Sequence, residues 1–175
     1  MINILVWQVL TWKIFHILTL DYKEENRVHF INFFEAFKTI IPCSICREHY
    51  DINIKKYNLN NESNFFNMTV KLHNSVNKVH NKNIWPIQKA LNHYKNNNLD
   101  KNMIKLFLLN YIFFNFKKGP NKTNQLIKMI HSFIHLIPQN NLRNKLIEFK
   151  NKFPLNRDTF KKWTYTMLLI VNKEI

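Results

Sequence analysis

The sequence predicts an all-α protein, and three observations carry that reading. Apolar residues recur at helical spacing in segment after segment. Glycine occurs once, at Gly119, which leaves no Gly-rich phosphate loop and few of the tight turns a β architecture needs. No segment alternates as a strand does, and none repeats at a fixed period. The chain has 175 residues, 46% of them apolar, enough to bury a substantial core as one medium domain or two small ones.

The elements follow in chain order. Residues 3–20 form an apolar helix. Residues 24–40 form a second, with Glu24 and Glu25 in the first turn, where the helix dipole favours negative charge. Pro42 ends it or opens the next helix, which starts at Cys43 and runs to about Tyr57. The polar run at 60–64 caps a fourth helix through "FFNMTVKLHNSVNKVH", and Pro86 opens a short fifth. "KNNNLD" (95–100) is polar and linker-like, and a domain boundary is placed there. Helices at about 101–117, 122–137, 140–152 and 158–172 follow, with cap signals at Asp100 and Asp158 and with Pro120, Pro138 and Pro154 between them. The stretch "MIKLFLLNYIFFNF" (103–116) is apolar nearly all round but too short for a bilayer, so it reads as a helix buried between neighbours.

Charge and cysteine content narrow the function. The formal charge is +15, which raises nucleic acid as a partner. The lysines are spread along an Asn-rich chain with no basic block of five or six, so composition explains the charge better than a nucleic-acid site does. The apolar N-terminus lacks a basic n-region and a small-residue cleavage site, and Lys13 and His16 interrupt it. A cytoplasmic protein with neither signal peptide nor membrane span is expected. The two cysteines, Cys43 and Cys46, are no disulfide scaffold; such a pair serves catalysis or metal.

Three stretches bear chemistry. In "PCSIC", Cys-x-x-Cys at a helix start puts both sulfurs on one face, and the helix N-terminus favours a thiolate. Two readings stay open there. A zinc-stabilised helical binding module would complete Cys43 and Cys46 with two of His49, His73 and His80, though their spacing misses the usual histidine pattern; a redox pair lacks the strand that precedes it in thioredoxin-like proteins. In "LHNSVNKVHNK" (72–82), His73, Asn74 and Asn77 fall within about 100° of helix surface. That face offers an imidazole and two amides to a heteroaromatic ligand, with Lys78 and Lys82 near for a phosphate; a solvated polar face is the plainer alternative. In "WKIFH", Trp12 and His16 share a face at i and i+4, an arrangement more common in core packing than in cofactor walls.

Taken together, "WKIFH", "FFEAFKTIIPCSIC" and "HNSVN" with a following lysine resemble, in order, the motifs of the Erv/ALR family of FAD-linked sulfhydryl oxidases. "CREHY" is similar to a Cys-x-x-His-Phe variant, with Tyr50 in place of the Phe. The resemblance covers about residues 5–90 and divides the chain into an oxidase domain, 1–98, and a helical extension of unassigned role, 99–175. It implies a four-helix bundle plus a short fifth helix enclosing FAD. It further implies that electrons pass from a thiol-containing protein or small dithiol, through the Cys43–Cys46 disulfide and FAD, to dioxygen, giving hydrogen peroxide. Carried over residue by residue, Trp12 and His16 contact the flavin end, Cys46 is the flavin-proximal sulfur and Cys43 exchanges with substrate. His49 and Tyr50 line the pocket, His73, Asn74 and Asn77 hold the adenosine, and Lys82 sits near the phosphates. Family cores dimerise through their first helices, so a homodimer is the expected assembly, with "ILVWQVL" (4–10) as apolar surface. Two departures stand out. No further cysteines are present to form a shuttle pair or a structural disulfide, and the extension has no counterpart. Short, cysteine-poor members occur in large cytoplasmic DNA viruses, an origin that the Asn/Lys bias suits.

Overall fold

The structure is a computed structural model that describes residues 4–116, 118–156 and 158–173. Nine α-helices and one short 3-10 turn are present among them, with no strand. The helices are α1 (Ile4–Leu20), α2 (Arg27–Ile40), α3 (Ser44–Ile54), α4 (Phe65–Val79), α5 (Ile87–Tyr94), α6 (Lys101–Asn115), α7 (Pro120–Leu136), α8 (Asn140–Lys152) and α9 (Phe160–Lys173). The all-α class therefore holds; Asn3, in the expected first helix, lies outside the described residues.

Several boundaries move for identifiable reasons. The acidic start of the second helix winds as a 3-10 turn over Glu24–Asn26 before α2 begins, with Glu24 holding the Arg27 guanidinium. α3 stops at Ile54, not Tyr57, because its last turn tightens: Lys56 N–H reaches the Asn53 carbonyl (3.2 Å) and Tyr57 N–H the Ile54 carbonyl (3.0 Å). Two caps are as expected. Asn64 accepts from Asn67 N–H at 2.9 Å, and Asp100 accepts from Met103 N–H at 2.8 Å. The cap signal at Asp158 is displaced: Asn156 Oδ1 takes the N–H groups of Asp158 (3.0 Å) and Thr159 (2.9 Å), so that turn closes two residues early and α9 starts at Phe160. Gly119 has φ +104°, a conformation side chains rarely adopt, and Pro120 follows at the first position of α7.

One continuous apolar core runs from Trp7 in α1 to Val171 in α9. Its centre is a cluster of rings. Phe15, Phe33, Phe34 and Phe37 pack edge to face with centroids 4.8–5.6 Å apart, each essentially inaccessible. The most extensive helix pairing joins α2 to α7 and sets Phe33 against Phe133, while α6 brings Phe107 to the same ring from the second half of the chain. A smaller cluster of Phe66, Val70 and Ala90 fixes α5 on α4. The expectation for α6 needs correction. Its buried face, Met103, Ile104, Phe107, Leu108 and Tyr111, packs as foreseen, but Leu106, Leu109 and Phe113 are exposed, so α6 is covered on one side and not all round. Within the expected dimer surface at 4–10, the side chains of 4–6 lie outside the described residues, Trp7 is buried and Val9 is exposed. No helix among the described residues is long and apolar enough to cross a membrane.

Candidate functional site

The sulfur pair sits where α2 hands over to α3. Ile41 and Pro42 leave the helical path, and Cys43 takes an extended conformation as the N-cap of α3. Cys43 and Cys46 form a disulfide, with Cα atoms 5.2 Å apart. The Cys43 sulfur also accepts from the Cys46 N–H at 3.2 Å, so the pair lies over the positive end of the helix dipole. The strand-like lead-in is pinned from both halves of the chain. Arg47 donates to the Ile41 carbonyl at 2.7 Å, and Asn115 of α6 donates to the Ile40 carbonyl at 2.9 Å.

Beside Cys46 opens a cleft of about 360 Å³ between α1, α3, α4 and α6. Trp12, Cys46, His49, Tyr50, His73, Asn77 and Lys82 all line it. Cys43 does not, so the disulfide bridges from the cleft wall to the outside. His16 and Asn74 line a small adjoining pocket instead, together with Trp85 and Tyr94. Seven of the ten residues singled out in the sequence thus meet around one cavity and two stand directly behind it.

The walls are built ring on ring. Trp12 and His73 stack with centroids 4.3 Å apart and planes 5° from parallel. His16 stacks on Tyr94 at 4.6 Å. A buried polar relay links them: Thr19 to Thr69 at 3.2 Å, Thr69 to His16 Nδ1 at 3.3 Å, and His16 Nε2 to His73 Nδ1 at 3.1 Å. Burial, with His73 and His93 nearby, pushes the His16 imidazole down to about 3, and burial with Lys82 nearby pushes His73 down to about 4. Both rings are therefore neutral at ordinary pH, each offering one donor and one acceptor. Tyr50 is fully buried and donates to the Phe34 carbonyl at 2.9 Å; burial holds its phenol well above the ordinary value.

The two asparagines shape the segment after α4. Asn74 pairs with the Trp85 backbone in both directions, donating to its carbonyl (2.8 Å) and accepting from its N–H (3.0 Å). Asn77 donates to the Asn83 carbonyl at 3.2 Å, while its own carbonyl accepts from Lys82 N–H at 2.8 Å. Asn81 adopts φ 51°, a turn asparagine tolerates, and so the chain doubles back to present Lys82 at the cleft.

Gln8, Trp7 and Tyr111 are among the cleft residues that escaped the sequence reading. Gln8 donates to the Cys46 sulfur at 3.6 Å. Trp7 is 5% exposed, and its indole N–H is buried without a partner. Tyr111 comes from α6, packs edge-on against Trp7 and bonds Thr11 at 2.9 Å. Gln8 and Trp7 lie one helical turn before Trp12, a position that could have flagged them; for Tyr111, about a hundred residues away, no local signal existed.

The donor set suits a planar, anionic ligand. The cleft has aromatic walls, an orphan buried N–H at Trp7, neutral imidazole and amide groups, the Lys82 cation and no carboxylate in its lining. It does not suit a metal ion. Among the described residues no group of three or more His, Cys, Asp or Glu converges on one point, and the two sulfurs are bonded to each other.

A model of the Erv1 / Alr family matches residues 9–97. Among curated proteins, a probable FAD-linked sulfhydryl oxidase of Acanthamoeba polyphaga mimivirus is 30% identical over 80 residues, covering 41% of this chain and 56% of that protein. The chain thus spans little more than half the length of that relative. No solved structure matches it.

Proposed function

The chain belongs to the Erv1 / Alr family, and on that premise we propose that it is an FAD-dependent thiol oxidase that forms disulfides in thiol substrates. One observation carries the reading: the Cys43–Cys46 disulfide joins an aromatic cleft, lined by Cys46, to the protein exterior, where Cys43 lies outside that lining. Such a bridge separates the place where substrate exchanges from the place where electrons leave.

The chemistry assigned to the chain's own residues is as follows. A substrate thiolate attacks the Cys43 sulfur; the Cys43–Cys46 bond breaks, and Cys46 leaves as a thiolate. The substrate's second thiol, once deprotonated, attacks the sulfur bound to Cys43. The substrate disulfide forms and Cys43 is released as a thiolate that takes up a proton. Each cycle so far transfers two electrons to the pair. The α3 N-terminus and the Gln8 amide stabilise the Cys46 thiolate facing the cleft. FAD, when bound, supplies the two-electron acceptor that reoxidises the pair and the route to dioxygen, which leaves as hydrogen peroxide.

For binding, we assign Trp12, Tyr50 and His49 to the wall around the reactive ring, with His73 and Asn77 toward the adenosine and Lys82 toward the phosphates. His16 and Asn74 act one layer back, through the His73 ring and the Trp85 backbone respectively. The Trp7 N–H is a further donor for the polar edge of the ligand. The division near residue 98 is one of function in this reading, since the family match ends at residue 97 while the apolar core continues past it.

The test is direct. Purified protein, alone or after incubation with FAD, should show a flavin spectrum, oxidise dithiothreitol and release hydrogen peroxide in proportion to dioxygen consumed. A colourless protein that retains no FAD and leaves dithiothreitol reduced would overturn the reading.

A further inference from the structure

We propose that the outer side of the disulfide is a docking rim for acidic thiol substrates: Arg47 of α3 and Lys118 and Lys122 at the α6–α7 junction would receive a polypeptide whose cysteines are flanked by Asp or Glu. The proposal rests on the oxidase reading and adds the substrate class to it.

These cations sit on segments tied to the residues that lead into Cys43. Arg47 N–H bonds the Cys43 carbonyl at 2.9 Å, and its guanidinium holds the Ile41 carbonyl, so this side chain folds back under the Cys43 turn. From the other half of the chain, Asn115 holds the Ile40 carbonyl, and Lys118 N–H bonds the Asn115 carbonyl at 3.2 Å. The α6–α7 junction is thereby tied to the residues leading into the disulfide. Lys122 lies in the first turn of α7. Its ammonium is disfavoured first by burial and then by the charges of Arg47 and Lys118, so both of those cations act on Lys122.

Nothing among the described residues neutralises them. The ion pairs there are Arg27–Glu24, Lys38–Glu35 and Lys55–Asp51, none involving this rim. On α3 itself, Asp51 is engaged by Lys55, and Glu48 is exposed and makes no ion pair with Arg47. A group of three cations without counter-ions among the described residues favours an anionic partner. Ser44 and Ile45, exposed between the sulfurs, add a small contact surface, with Ile45 63% accessible. The same field would favour the incoming thiolate over the thiol. Two of the three cations belong to the extension, beyond the family match, which gives that extension a role in choosing substrates.

The experiment compares two dithiol peptides of equal length, one with Asp and one with Lys beside its cysteines, and dithiothreitol. Wild-type protein should oxidise the acidic peptide with roughly tenfold higher kcat/KM than the basic one at low salt, converging at about 0.5 M salt. K118E/K122E, or the milder K118Q/K122Q, should erase most of that preference while turnover of dithiothreitol stays within about twofold. K71E/K89E, on α4 and α5, makes the same change in net charge and should keep the preference. An equal loss in K71E/K89E, or an unchanged preference in K118E/K122E, would overturn the rim. Failure of wild-type protein to oxidise dithiothreitol would overturn the oxidase reading and the rim with it.

Discussion

At the scale of single residues, the two sulfurs are not equivalent, because only Cys46 lines the cleft. Cys46→Ser is expected to keep FAD but lose flavin reduction by dithiols. Cys43→Ser should leave a Cys46 thiolate beside the flavin, seen as a long-wavelength charge-transfer band. Wild-type dithiol turnover by Cys43→Ser would show that Cys43 is not the exchanging sulfur. The histidines at and just behind the cleft set a second expectation. His16 and His73 fall from an ordinary 6.5 to about 3 and about 4 in the folded protein. The unfolded chain then binds more protons below 6.5, so stability is full above that value and is lost as pH drops toward 4. Thermal melts should show Tm falling between about pH 6.5 and pH 4, less steeply in His73→Phe. Parallel profiles for the two proteins would contradict a neutral, buried His73.

At the scale of elements, α4 carries the polar face of the cleft. His73→Ala and Asn77→Ala should lower FAD retention and, through lost ligand binding, Tm. A merely solvated face predicts changes within about 0.5 kcal/mol and unchanged FAD content. The α6 contact is the other case. Asn115 is inaccessible and uses its amide N–H groups on the Ile40 and Tyr111 carbonyls. Asn115→Leu should cost about 1–3 kcal/mol in denaturant melts, since it leaves the Ile40 carbonyl unpaired. It should also disturb the Cys43 turn, read as a change in the dithiol reduction rate at constant FAD content; an unaltered rate would leave Asn115 with a packing role alone. Helix existence was legible in the sequence because Pro42, Pro86, Pro120 and the Asn64 and Asp100 caps punctuate it locally. The faces of α1 and α4 were legible for the same reason: spacing within one helix fixes which residues are neighbours. What spacing could not give was the partner of each face. Tyr111 reads as one more apolar residue in "LLNYIFF" until α6 is laid against α1. Asn74 reads as a ligand amide until Trp85 occupies both its ends.

At the scale of the whole molecule, the second half is part of the first half's core. Phe33 and Phe37 are buried in part by Phe107, Tyr111 and Phe133. A chain ending at Asn98 would uncover that face, and a contiguous apolar surface of this kind drives association. Such a chain is expected to aggregate or to change its assembly in sedimentation experiments. A soluble truncated protein with full-length Tm and unchanged assembly would show the extension to be dispensable. The same interlocking has a consequence in time. A ribosome adds about 5–20 residues per second and releases the amino-terminal part first. Here that part, though it holds both sulfurs, cannot close its cleft until Tyr111 has been made, nor cover Phe33 until Phe133 has followed. The nascent chain therefore carries its thiols through synthesis on an unfinished scaffold, and the cleft beside Cys46 is completed only after most of the chain has been translated.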